Sequence, residues 1–133
     1  MAKKTLSDLI KLMARLRAPN GCPWDRKQTH RSLLRHLKEE SEEVAQAVRK
    51  SDPENLCEEL GDLLQQIIFH AQLAQEKKQF NMDDVVDGLC RKIIRRHPHV
   101  FGHKKINTVG EVMVQWEQIK RQEKAQKAKK RQR

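Results

Sequence analysis

The sequence has no Tyr, and aromatic residues make up only 4% of it. A β-sandwich needs many aromatic and β-branched side chains, and no segment alternates apolar and polar residues as a strand would, so an all-β reading is excluded. Cysteine is scarce too. Cys22, Cys57 and Cys90 are far apart, odd in number and form no CxxC pair, which excludes a zinc ribbon and a disulfide framework. No apolar run is long enough to span a bilayer. The first residues lead straight into an amphipathic segment without an apolar secretory region, so a membrane partner is not expected and the reducing cytoplasm is. There is no internal repeat and no Gly-rich phosphate loop of the Walker type.

What is present is charge, 35% of the chain, with a formal net of +10. Its distribution is uneven. Residues 120–133 hold eight Lys/Arg and one Glu, so the basic excess belongs mostly to the tail, whereas residues 39–62 hold nine of the 18 acidic residues. A chain of 133 residues predicts one domain able to bury its own core. We expect that domain over residues 1–120, followed by a basic tail over 121–133 that is either a helical extension or disordered.

Apolar periodicity predicts helices throughout. The first runs from about Leu6 to Arg17, with Thr5 and Asp8 as a capping-box variant. Residues Ala18 to Asp25, with two prolines and a glycine, read as a structured loop. The second helix is expected from about Thr29 to Lys50, with Leu33, Leu34, Leu37, Val44, Ala45 and Val48 on its buried face. Asp52 and Pro53 restart the chain into a third helix that ends near Glu76. A fourth begins near Asn81, capped with Asp84, and stops at His97-Pro98. The last starts at Thr108 and Glu111, passes Trp116 and Ile119, and frays into the tail. Only helix-on-helix packing can supply the core, so the fold class is an all-α bundle.

The acids fall where apolar residues are expected. Glu40 lies three residues after Leu37 and four before Val44, on the line of the buried face, and Glu43 is one turn further on. Leu56 and Leu63 bracket Glu59 in the same way, and Asp62 follows it at i+3. Each helix thus projects an ExxE or ExxD pair from, or beside, its inward face. Two like charges about 4 Å apart repel by roughly 4 kcal/mol at an effective dielectric near 20. Either the acids protonate or a cation sits among them. Oxygen-only ligands point to Mg²⁺ or Mn²⁺. A ferritin-like di-iron site would need Glu-x-x-His, and neither Glu43 nor Glu59 has a His three residues later. Gly61, inside the third helix, is easier to understand if something approaches the backbone there. Glu42, Glu54 and Glu58 read as a solvated face. Trp24 and Trp116 read more readily as core than as stacking platforms. His97 and His99 are expected to cap or pack, and the other histidines carry no role.

Glu39-Glu40-Ser-Glu-Glu43 followed by Glu59-Leu-Gly-Asp62 resembles the EExxE…ExxD signature of the MazG-type nucleoside triphosphate pyrophosphohydrolases. The blocks Gly21-Cys-Pro-Trp-Asp25, Gln28-Thr-His30, Arg95-Arg-His-Pro-His-Val-Phe101 and Trp116-Glu-Gln-Ile-Lys120 are similar as well, so the resemblance covers roughly residues 6–120. It implies an all-α bundle completed by dimerisation, as a homodimer or higher homo-oligomer. It implies hydrolysis of nucleoside triphosphates to the monophosphate and pyrophosphate by a metal-activated water, with loose base preference. By the motif match, Glu40, Glu43, Glu59 and Asp62 are the Mg²⁺ ligands, with Mn²⁺ as a possible substitute. Glu39 joins Glu40 and Glu43 in the catalytic set and helps to hold a metal or the attacking water. Lys92, Arg95, Arg96, Trp116 and Lys120 stand at substrate-contacting positions. Two alternatives remain: a catalytically lapsed dimerisation module, or a nucleic-acid-binding protein that uses the tail. The basic excess lies outside the acidic core and no helix-turn-helix, RNA-binding or zinc module is visible, so nucleic acid is not the expected partner.

Overall fold

The computed structural model describes residues 2–132, and among these the chain is all-α. The helices are α1 (Leu6–Arg17), α2 (Pro23–Lys27), α3 (Leu34–Arg49), α4 (Pro53–Glu76), α5 (Met82–Arg96), α6 (Pro98–Phe101) and α7 (Val109–Arg131). They fall into two compact units. One extends to Val85 and the other starts at Val86, within α5.

Local chemistry sets the helix starts. Thr5 and Asp8 form the expected capping box, with the Thr5 N–H donating to Asp8 Oδ2 at 2.8 Å. Asp52 accepts from the Asn55 N–H at 3.2 Å, ahead of Pro53 in the first turn of α4. Asn81 and Asp84 bond reciprocally at 2.9 Å, and Thr108 caps α7 through the Glu111 N–H. These side chains satisfy N–H groups that a helix start leaves without intrahelical partners.

Four boundaries differ from the sequence expectation. The Ala18–Asp25 segment contains α2, because Pro23 presets the helical φ at its first position. Between Gln28 and Leu33 the chain turns instead of continuing α3 backwards. There, Ser32 Oγ accepts from the Thr29 N–H at 2.8 Å and Thr29 Oγ1 from the Ser32 N–H at 3.1 Å, so hydroxyls compete with the helical ladder. Pro98 opens the short α6. α7 does not fray after Ile119 but runs on to Arg131, since its Lys, Arg, Gln and Ala residues are strong helix formers.

In the first unit Met13, Leu33, Ile68, Phe69, Ala71, Leu73 and Met82 form the core, flanked by Leu9, Ile10, Leu64 and Val85. Fully burying each large side chain contributes roughly 2 kcal/mol. An exposed ion pair contributes about 0–1 kcal/mol, so packing dominates. The buried line of α3 runs through Leu33, Leu37, Val44 and Ala47; Leu34 and Val48, expected on that face, are exposed. On α4, Leu60 and Ile67 are likewise exposed. The apolar stripe read from sequence is wider than the strip that neighbouring helices cover.

α3 and α4 pack on each other, joined by Lys50, Ser51 and Asp52. The turn is a Schellman closure: the Asp52 N–H donates to Ala47 O and the Ser51 N–H to Val48 O. Ser51 sits at φ 52°, a left-handed conformation that costs a non-glycine residue roughly 1 kcal/mol. Ser51→Gly should therefore raise the thermal midpoint by a few degrees. A calorimetric scan showing a lower midpoint would mean that the serine side chain supports the turn.

Candidate metal centre

The hairpin of α3 and α4 gathers the four predicted carboxylates. One oxygen from each of Glu40, Glu43, Glu59 and Asp62 can be chosen so that all lie within 4.8 Å of one another. Glu40, Glu59 and Asp62 are half-buried and Glu43 is exposed. The spacing explains the convergence. Glu40 lies between Leu37 and Val44 on the buried line of α3, Glu59 and Asp62 lie beside Leu56 and Leu63 on α4, and side chains at i and i+3 share a helix face.

The electrostatics follow from crowding. Glu59 is pushed up to about 7, first because its protonated form hydrogen-bonds to Glu43, then by burial and the charges of Glu43, Asp62 and Glu40. Burial raises Glu40, aided by Glu43, Asp62 and Glu39 and opposed by His36. Glu40 Oε2 and Glu59 Oε2 are buried without a hydrogen-bond partner among the described residues. Orphaned carboxylate oxygens facing a set of hard donors are what a divalent cation of the Mg²⁺ class requires. The residues present therefore fit such an ion.

Glu39 stands outside this group. Its side chain is 56% exposed, 3.7 Å from Arg35 and 3.9 Å from His36. Gly61 leaves open space where a Cβ would be, so nothing among the described residues explains the missing side chain there. Trp24, expected in the core, is 51% exposed and sets its ring edge-on to His36 at 5.6 Å. Trp24 lies in the first turn of α2 with His36 as its ring partner, so it stays outside the apolar cluster. His36 in turn is close enough to lower the Glu40 pKa, so an exposed indole lies in the neighbourhood of the carboxylates.

The second unit carries the predicted substrate contacts. Lys92 is exposed on α5, four residues before Arg96. Arg96 lies over the Trp116 ring at 4.9 Å and pairs with Glu123 at 2.9 Å; Arg95 pairs with the same Glu123 at 2.7 Å. Trp116 is half-buried against Arg96 and the edge of His97, not in an apolar core. Lys120 is exposed, 3.8 Å from Glu117. His97 and His99 pack as expected: His97 Nδ1 lies 2.6 Å from Ile93 O, and His99 Nδ1 lies 3.2 Å from the Gln115 amide.

Sequence reasoning missed three groups. Arg17, read only as a helix end, donates to Glu76 at 2.6 and 3.0 Å and to the Asp25 carbonyl at 2.6 Å, and lies 5.9 Å from the Phe69 ring centre. Its partners are 8 to 59 residues away, so no local pattern signals it. His30 and His70 stack at 5.0 Å with their Nδ1 atoms 2.7 Å apart, one donating and the other accepting. Glu123 lay hidden in the basic tail.

Comparison with known proteins agrees with the motifs. The family model described as the MazG nucleotide pyrophosphohydrolase domain matches residues 28–101. The Thermotoga maritima nucleoside triphosphate pyrophosphohydrolase/pyrophosphatase MazG is 48% identical over 120 residues, 90% of this chain and 46% of that protein. The Escherichia coli K12 nucleoside triphosphate pyrophosphohydrolase is 46% identical over 121 residues, with the same two coverages. The chain thus spans less than half the length of these curated relatives. The crystal structure of a mazG-related protein from Thermotoga maritima superposes with a TM-score of 0.72 at 33% identity, covering 87% of this chain and 99% of that one. A matching family model over more than half the chain, a relative of near-equal extent and the carboxylate hairpin together place the chain in the MazG family.

Proposed function

We propose that this chain hydrolyses nucleoside triphosphates to the monophosphate and pyrophosphate, depends on Mg²⁺ with Mn²⁺ as a substitute, and accepts several bases. The observation that carries the reading is the four-carboxylate cluster with two buried, partnerless oxygens, in a chain whose full-length relatives bear that activity in their names. Glu40, Glu43, Glu59 and Asp62 would hold the cation, which when bound lowers the pKa of a coordinated water and offsets phosphate charge. Glu39, one position before Glu40 and 3.7 Å from Arg35, would orient the attacking water and take its proton at a carboxylate oxygen. In-line attack then expels pyrophosphate without a covalent intermediate. Lys92, Arg95, Arg96 and Lys120 supply cations for the phosphates, and Trp116 holds Arg96 by its face.

Residues 1–120 act as the MazG-like domain in this reading, with 121–133 as a basic extension. A second copy of the chain covers apolar residues that the second unit leaves exposed: Leu89, Ile93 and Ile94 on α5, and Met113 and Val114 on α7. The free thiols Cys22, Cys57 and Cys90 suit a reducing cytoplasm, and no helix among the described residues is long and apolar enough to cross a membrane.

Three outcomes test the reading. Purified protein with Mg²⁺ should release pyrophosphate from a panel of nucleoside triphosphates, and Glu40→Gln combined with Glu43→Gln should cut the rate by at least about a hundredfold. No release by the wild type would sink the proposal. The second test is thermal stability against pH. The raised Glu59 pKa stabilises the metal-free fold fully below 4.5, and that contribution is lost as pH rises through about 7. The midpoint of metal-free protein should fall across that window, and Mg²⁺ or Mn²⁺ should restore it above pH 7 but not at pH 4.5; Glu59→Gln should flatten both responses. Finally, Trp24→Ala should raise KM for nucleoside triphosphates on the order of tenfold if the exposed indole stacks on the base, while tripolyphosphate, which has no base, binds unchanged.

A further inference from the structure

We propose that Glu123 is a positioning residue for polyphosphate binding: its carboxylate holds one edge of Arg95 and one edge of Arg96, and so presents their remaining donors together. This rests on the hydrolase reading above.

Arg95 and Arg96 are neighbours on α5, where successive side chains diverge by about 100° around the helix axis. Glu123 on α7 draws both to one point. Arg95 Nε donates to Oε2 at 2.7 Å; Arg96 Nη2 donates to Oε1 at 2.9 Å and its Nε to Oε2 at 3.4 Å. Glu123 and Arg96 are nearly enclosed, with side chains 13% and 17% exposed, while Arg95 is half-exposed. The Trp116 ring below fixes the plane of the Arg96 guanidinium.

Each guanidinium carries five N–H donors. Glu123 takes the Nε of Arg95 and the Nε and Nη2 of Arg96. Both terminal nitrogens of Arg95 and Nη1 of Arg96 have no hydrogen-bond partner among the described residues. They form a donor set whose direction is fixed before any ligand arrives, which lowers the ordering cost of binding. The carboxylate also offsets the mutual repulsion of the two cations. It stays ionised throughout: the hydrogen bonds from Arg96, then Arg95, hold its pKa at about 2. Two guanidiniums against one carboxylate leave the cluster net positive, as a polyanion requires. Sequence reasoning passed over Glu123 as the sole acid of a basic tail. Its burial between two arginines is what distinguishes it from a solvated surface charge.

The same contacts allow the opposite role, in which the carboxylate competes with phosphate for the arginines. The two roles predict opposite signs. In full-length protein, kcat and KM for a nucleoside triphosphate and calorimetric binding of inorganic tripolyphosphate are measured for wild type, Glu123→Gln and Glu123→Asp. We expect Glu123→Gln to raise KM and weaken tripolyphosphate binding about tenfold, the equivalent of one charge-assisted hydrogen bond, with kcat within about twofold. Glu123→Asp, which keeps the charge on a shorter stem, should show about a threefold loss, and it carries the test if Glu123→Gln loses helicity by circular dichroism. Unchanged binding, a loss confined to kcat, or tighter binding overturns the proposal. A wild type that binds tripolyphosphate but turns over no nucleotide defeats the hydrolase reading instead, and the binding comparison still decides the role of Glu123.

Discussion

Four carboxylates whose oxygens approach within 4.8 Å cannot all stay charged unless something positive lies among them. That constraint organises the first unit. Packing α3 on α4 buries Leu37, Val44 and Leu56 at least in part, and the same packing forces Glu40, Glu59 and Asp62 out of bulk water. Without a cation the conflict is relieved by holding a proton on Glu59, whose pKa rises to about 7. With a cation the conflict becomes affinity. The energy that would destabilise the bare hairpin is the energy that would draw in a divalent ion.

The scaffold around that conflict is built from ordinary parts. The Schellman closure at Ser51 and the Asp52 cap turn α3 into α4 within three residues, which sets the register of the two acidic pairs. Behind them Phe69, Ile68, Met13 and Leu33 are fully enclosed. Arg17 ties α1 to the end of α4 through Glu76 and to α2 through the Asp25 carbonyl, with its guanidinium close to the Phe69 ring. A rigid back wall lets the acidic face keep its geometry despite the repulsion within it.

The second unit solves the reverse problem, the crowding of cations. Arg95 and Arg96 are held by one carboxylate, and Trp116 supports the face of Arg96. Anion among cations here mirrors cation among anions in the hairpin. Each arrangement leaves polar atoms without a hydrogen-bond partner among the described residues.

Much of this was legible in the sequence. Thr5 with Asp8, Asn81 with Asp84 and Thr108 with Glu111 marked helix starts because capping depends on residues three apart, and Asp52 with Pro53 because proline fits the first helical turn. The all-α class followed from the 3.6-residue apolar period. The four carboxylates could be named because helix periodicity alone puts i and i+3 on one face, and the motifs tied them to a family. Some of what was missed was itself local, and the rest depended on distant partners. Local turn chemistry at Thr29 and Ser32 delayed α3, and α7 runs on to Arg131 because nothing local opposes it. Burial was misjudged at Leu34, Val48 and Trp24, since periodicity says which residues share a face but not how much of that face a neighbour covers. The clasp of Glu123 on two arginines, 27 and 28 residues away, and the reach of Arg17 across 59 residues exist only once the chain is folded. Periodic and capping signals are short-range and so are written in the sequence; coverage, convergence and long-range pairing are properties of packed surfaces, which only the tertiary structure brings together.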